Sequence, residues 1–305
     1  MQSSRARRRR VPLLSVALAS VVVVGGTAAG TVYVKARAQS AVSSSATPST
    51  VAVNGEASVE PVARPTVDRD ALLADAMESV TVPKGAEVSV AVLDLESGES
   101  ASYGERSFDT ASIVKVDVLA TLLLQAQDDG RALTATEKTY ATAMIENSDN
   151  ASTSALWEII GRADGLAAAN ERLGLTATEG GDGMLWGLTQ TTATDQLTLL
   201  KQVFGEDSEL SEASRSYVQG LMGQIAADQQ WGVSAVADGS AWALKNGWLP
   251  RSTTGLWDIN SIGRVTVDGR DCLVAVLSDG NATKADGVSL VEATARAAVS
   301  VFADA

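Results

Sequence analysis

The 305-residue chain contains no histidine and a single cysteine, Cys272. Without histidine there is no Ser-His-Asp triad, no Cys-His dyad and no imidazole-ligated metal site. One cysteine excludes an intrachain disulfide and a thiolate zinc site, so neither metal nor cofactor is expected. In the apolar run CLVAVL the thiol is expected to act as a small buried hydrophobe. Acidic residues are missing from the first 37 positions, which hold seven of the 24 basic residues. The remainder sets the other 17 basic residues against all 37 acidic ones, a net charge of −20. So acidic a body argues against nucleic acid as a partner. No internal repeat is present.

The basic residues of the N-terminus precede an uncharged run. Residues 5–10 read RARRRR, and residues 11–34 carry no charge over a length sufficient to cross a bilayer. Positive charge before such a span keeps the N-terminus inside and sends the rest out. The expected organisation is a cytoplasmic tail at 1–10, a transmembrane anchor at 11–34, a Ser/Ala/Thr/Pro-rich linker at 35–66 and a catalytic domain at 67–305. Ala36-Arg37-Ala38 offers a cleavage site that would instead release the domain. Either way the domain is expected outside the cytoplasm, single-pass at the cell membrane or secreted.

Within 67–305, residues 87–95 (EVSVAVLDL) alternate as a strand, and Ser97-Gly98 turns into a second one. Helical patterns fill 68–80, 133–147, 151–160, 164–173, 192–204, 211–226 and 286–302. Thr134 and Glu137 form a capping box ahead of the second of these. Strands return at 240–245, 259–267 and 270–278, the last two flanking the hairpin dipeptide Asp268-Gly269. Strands at both ends of a helical middle predict an α+β fold. Its antiparallel sheet (67–108 and 231–305) is flanked by N- and C-terminal helices, and an all-helical subdomain (109–230) is inserted.

The stretch 108–124, FDTASIVKVDVLATLLL, is apolar nearly all round and reads as a buried helix capped by Asp109 or Thr110. Ser112 and Lys115 interrupt it at i, i+3 spacing, which places hydroxyl and amine on one face. Burial disfavours the ammonium, and a depressed lysine beside a serine is a ready base for a nucleophile.

Two further motifs follow in order, Ser148-Asp149-Asn150 and Lys245-Asn246-Gly247. With Ser112-Ile113-Val114-Lys115 they resemble the SxxK, SDN and KTG set of the penicillin-recognising serine enzymes. The resemblance is specifically to class A β-lactamase-like serine hydrolases, of actinobacterial type. The resemblance covers about 67–305, and Asn246 replaces threonine. It implies Ser112 as nucleophile, Lys115 as general base, Ser148 as proton relay and Lys245 as the cation beside it. It further implies substrate-binding roles for Asn150, Asn246, Gly247 and Trp248, with the oxyanion hole made by the N–H groups of Ser112 and Trp248. Asp149 is expected to buttress its loop.

One departure bears on the chemistry. Class A enzymes carry a glutamate that activates water for deacylation, in an E-P-x-L-N loop before the helix that here begins near Thr191-Thr192-Ala193. Residues 173–190 lack that motif, and Glu179 and Asp182 are their only carboxylates. Either is a candidate base, or both are solvated loop charges. Arg251 and Arg264 are candidates for binding a substrate carboxylate. The expected activity is therefore acyl-enzyme formation at Ser112 with a β-lactam or a D-Ala-D-Ala-like peptide, as β-lactamase or D,D-peptidase, in a monomer with slow deacylation. The alternative is an idle peptidoglycan-peptide-binding module that keeps the fold.

Overall fold

Residues 67–303 are described in the computed structural model. Their strands are β1 (Glu87–Asp94), β2 (Ser100–Tyr103), β3 (Phe108–Asp109), β4 (Gln190–Thr191), β5 (Trp242–Pro250), β6 (Trp257–Val267) and β7 (Arg270–Asn281). Their α-helices are α1 (Arg69–Met77), α2 (Val114–Asp128), α3 (Ala135–Glu146), α4 (Asn150–Ile159), α5 (Arg162–Leu173), α6 (Ala193–Phe204), α7 (Glu212–Met222) and α8 (Lys284–Ser300). Five strands form one antiparallel sheet in the order β2-β1-β7-β6-β5. The α+β arrangement, with flanking helices and inserted helical segment, is the one expected.

Local signals work as anticipated. Thr134 Oγ1 accepts from Glu137 N at 3.2 Å while Glu137 Oε2 accepts from Thr134 N at 2.7 Å, completing the capping box. Asp268 and Gly269 both take positive φ, +50° and +77°, as a two-residue hairpin turn of the primed kind requires. Cys272 is buried and free.

The central strands are covered on both faces, so β7 is buried almost throughout. Alternate residues enter two separate cores. Ala91, Leu93, Leu273, Ala275 and Leu277 join the helical side with α2 and α6. Val90, Val92, Cys272, Val274 and Val276 join α1 and α8 instead. In β5, Ala243 belongs to the first core and Leu244 to the second. That parity sets the direction of every later residue of the strand, including those of the third motif.

Several expectations need correction. Strand β5 runs through Lys245-Asn246-Gly247 to Pro250 rather than closing there. Helix α2 begins at Val114, after a 3₁₀ turn at Ala111–Ile113, and Thr110 makes no side-chain cap. Residues 109–230 are not all helix and loop, because β3 pairs with β4 in a two-stranded sheet. The expected membrane helix at 11–34 lies outside the described residues. Among the described residues no helix is long and apolar enough to cross a membrane. Helix α2, buried on nearly every face, has 15 residues where about 20 are needed, and it carries Lys115 and Asp117. The expected anchor, membrane partner and membrane localisation therefore find no support among the described residues.

Candidate active site

The 3₁₀ turn holding Ser112 is strained and clamped from several sides. Ala111 has φ +48°, a left-handed conformation that costs a non-glycine residue about 1–2 kcal/mol. Such strain persists only where neighbours over-determine it. Here Asn260 of β6, fully buried, donates through Nδ2 to Asp109 O at 2.9 Å and to Thr110 O at 3.0 Å. Thr110 N donates to Thr189 O at 2.8 Å. From β5, Gly247 presses on the same turn. A Cβ there would lie 2.7 Å from Thr110 O and 2.9 Å from Ser112 N, so only glycine fits without displacement.

Lys115 follows one turn later and is fully buried. Its Nζ lies 2.8 Å from Ser112 Oγ, 2.8 Å from Ser148 O, 3.0 Å from Ser148 Oγ and 2.9 Å from Asn150 Oδ1. The indole of Trp186 stacks 4.9 Å from the amine. Among the described residues no carboxylate forms an ion pair with it. Burial lowers its pKa to about 7, with Asp149 partly opposing the shift. A neutral amine has two N–H bonds and one lone pair. Ser148 O and Asn150 Oδ1 only accept, so they take the two N–H groups. The lone pair is then left for a hydroxyl proton, and Ser112 Oγ–H is the nearer donor.

Ser148 itself has φ +56° and enters α4 through Asp149, whose Oδ1 accepts from Ser152 N at 2.6 Å as an N-cap. The Ser152 hydroxyl, together with that backbone bond, holds the Asp149 carboxyl below its usual range. Its side chain buttresses the loop. Opposite, Lys245 Nζ reaches Ser148 Oγ at 3.0 Å and bonds its neighbour's carbonyl, Asn246 O, at 2.9 Å. Lys245 is fully buried, and desolvation followed by the charge of Lys115 pushes its pKa well below the usual lysine value. The Ser148 hydroxyl thus stands between two amines, each at 3.0 Å.

Ser112, Lys115, Ser148, Asn150, Lys245 and Gly247 therefore converge. Ser112, Asn150 and Trp248 line a cleft of about 410 Å³. Asn246 does not point there. Its parity sends the carboxamide to the α8 side, where Nδ2 donates to Gln229 O at 2.7 Å and Trp231 O at 2.9 Å. The Trp248 indole shares that side, packed edge-on against Trp231 at 6.0 Å with Lys284 Nζ 4.2 Å away, so only its backbone serves the cleft.

The expected accessory charges lie elsewhere. Glu179 is exposed, its backbone exchanging two 2.9 Å bonds with Gln190, and neither it nor Asp182 lines the cleft. Arg251 pairs with Asp109 and, at 3.5 Å, with Asp258. Arg264 lies 3.6 Å from Asp271 and beside the Phe204 ring. Sequence reasoning missed Asn260 and Trp186. Strand β6, WDINSIGRVTV, alternates many polar residues and gave no local signal for the former.

A model described as the β-lactamase enzyme family matches residues 72–140 and 132–302. Among solved structures, the chain resembles the TLA-1 extended-spectrum β-lactamase with 16% identity and a TM-score of 0.66, over 77% of this chain and 98% of that one. It resembles PBP-A with 20% identity and a TM-score of 0.66, over 77% and 97%. A class A β-lactamase from Bacteroides cellulosilyticus gives 15% and 0.66, over 79% and 100%. At these identities the likeness concerns the fold. No curated protein matches the chain. Nothing in these likenesses bears on the actinobacterial subtype, which is not carried further.

Proposed function

Because the chain belongs to the β-lactamase enzyme family, we propose that it is a serine acyl-transfer enzyme which opens β-lactam or D-Ala-D-Ala-like amides and releases the acyl group slowly. The observation that carries this reading is the Lys115 amine, 2.8 Å from Ser112 Oγ in a buried setting with no carboxylate partner among the described residues. Lys115 takes the hydroxyl proton as Ser112 Oγ attacks the carbonyl carbon. The backbone N–H groups of Ser112 and Trp248 receive the oxyanion, donors aimed at charge that develops only in the transition state. As the C–N bond breaks, Ser148 Oγ gives its proton to the leaving nitrogen. It is reprotonated from Lys115, the amine that took the Ser112 proton, while Lys245 holds the hydroxyl in place. Asn150, exposed beside the cleft, holds the amide side chain of the substrate.

Hydrolysis of the ester needs a base within reach of a water. None of the residues lining the cleft is an aspartate or glutamate, which supports a long-lived acyl-enzyme. Incubation with a fluorescent penicillin followed by intact mass tests the reading. An adduct on Ser112, absent in Ser112→Ala, is expected. Binding that survives Ser112→Ala without an adduct would establish the idle binding module instead.

A further inference from the structure

The loop between α5 and β4 is tightly wound. Gly181 N donates to Thr189 Oγ1 at 3.1 Å, Leu185 N to Asp182 O at 2.9 Å and Leu188 N to Leu185 O at 2.8 Å. A side chain at 181 would meet Leu185 O at 2.1 Å, so the turn requires glycine. Two indoles pin it to α4, Trp157 Nε1 donating to Gly183 O at 2.8 Å and Trp186 Nε1 to Ser154 Oγ at 3.2 Å.

This fastened loop nevertheless leaves Met184 and Leu185 exposed, at 42% and 55%, on the rim of the cleft that contains Ser112. Leu188 and Leu249 continue the apolar lining. Exposed side chains of this size are uncommon among the described residues. Holding two of them at a reactive serine costs solvation unless a ligand covers them. No acidic or guanidinium side chain lines the same cleft.

We propose that this lip selects the substrate: amides bearing a large uncharged apolar group, aryl or branched alkyl, on the acyl side of the bond that is opened. The inference rests on the acyl-transfer reading above. An apolar substituent covers Met184 and Leu185 and removes both surfaces from water. An ionised substituent in the same place loses hydration and meets no partner.

Three penicillins that share the 6-acylamide and differ only in its substituent test it on the full-length protein: benzylpenicillin, its α-carboxylated counterpart carbenicillin, and the 6-acetamido compound, which carries only a methyl group there. In each the ring C–N bond opens as the Ser112 Oγ–C bond forms, and the serine proton ends on the ring nitrogen. Intact mass against time yields the second-order acylation rate. Benzylpenicillin is expected to react about tenfold faster than either other compound. The double variant Met184→Ser, Leu185→Ser is expected to narrow that ratio to about threefold or less, with the rate for the 6-acetamido compound and the thermal midpoint unchanged. Equal rates for the three compounds, or an undiminished preference in the double variant, overturn the lip. No adduct from any of them overturns the acyl-transfer reading and the lip together.

Discussion

Asn260 Nδ2 lies 3.0 Å from the carbonyl of Thr110, 150 residues away in the chain and two before Ser112. The same nitrogen holds Asp109 O, and the Asn260 Oδ1 accepts from Ser278 N at 3.1 Å, so one buried carboxamide ties three strands to the turn of Ser112. Removing it takes a donor from Asp109 O and from Thr110 O, which keeps only Ile113 N at 3.2 Å, and takes the side-chain acceptor from buried Ser278 N; a buried group left unpaired costs about 1–3 kcal/mol. Asn260→Ala is therefore expected to lose about 2–5 kcal/mol in denaturant unfolding. Acylation of the fraction that remains folded is expected to fall at least about tenfold, because the Ser112 N–H is no longer aimed. Unchanged acylation in a folded variant would show that the turn holds itself.

The Lys115 pKa of about 7 predicts the pH profile of acylation. With the neutral amine as the proposed base, the rate is expected to rise with pH and level off above about 7. The same shift enters stability with a defined sign. The folded pKa lies below the unfolded value, so the contribution is fully present above the unfolded lysine pKa. It is lost as pH falls toward 7. The window spans roughly 3.5 pH units, or about 4–5 kcal/mol. Lys115→Met is expected to abolish acylation and to flatten stability between about pH 7 and 10 relative to the parent. Stopped-flow acylation and urea titrations across pH check both.

Asp117, two residues on, works in the opposite sense. It is fully buried, bonded only by Asn170 Nδ2 at 3.1 Å, and desolvation raises its pKa to about 7. A raised folded pKa contributes stability that is complete below the unfolded value and lost as pH rises to about 7. Asp117→Asn removes this dependence. It is expected to match the parent near pH 4 and to be more stable by up to about 4 kcal/mol above pH 7. A constant difference across that range would mean the carboxyl titrates normally.

Leu188 is an apolar position of the Ser112 cleft at which an added carboxylate tests the proposed lack of a deacylation base. It lines the cleft, and its neighbour Thr189 accepts from Thr110 N at 2.8 Å, which holds the 186–188 turn against that of Ser112. Leu188→Glu brings a carboxylate toward the acyl ester. Pre-formed acyl-enzyme is expected to decay at least about tenfold faster, with measurable nitrocefin turnover. An unchanged lifetime would place the obstacle in water access instead of the absent base.

What the chain's sequence determined by itself is whatever depends on neighbours within a turn or two. The capping box at Thr134, the Asp268-Gly269 hairpin, the N-cap role of Asp149 and the i, i+3 pairing of Ser112 with Lys115 are all of this kind, because their partners are local. The order of the three motifs was legible for the same reason. What only the tertiary structure decided is which face of β5 meets the helices. Packing of alternate residues against two different cores turns Lys245 toward Ser148 and Asn246 away from it, although they are adjacent. The clamp from Asn260 and the engagement of Arg251 with Asp109 likewise join segments about 140–150 residues apart. Such contacts exist only once the sheet has closed around the helical segment, and no local pattern in the chain encodes them.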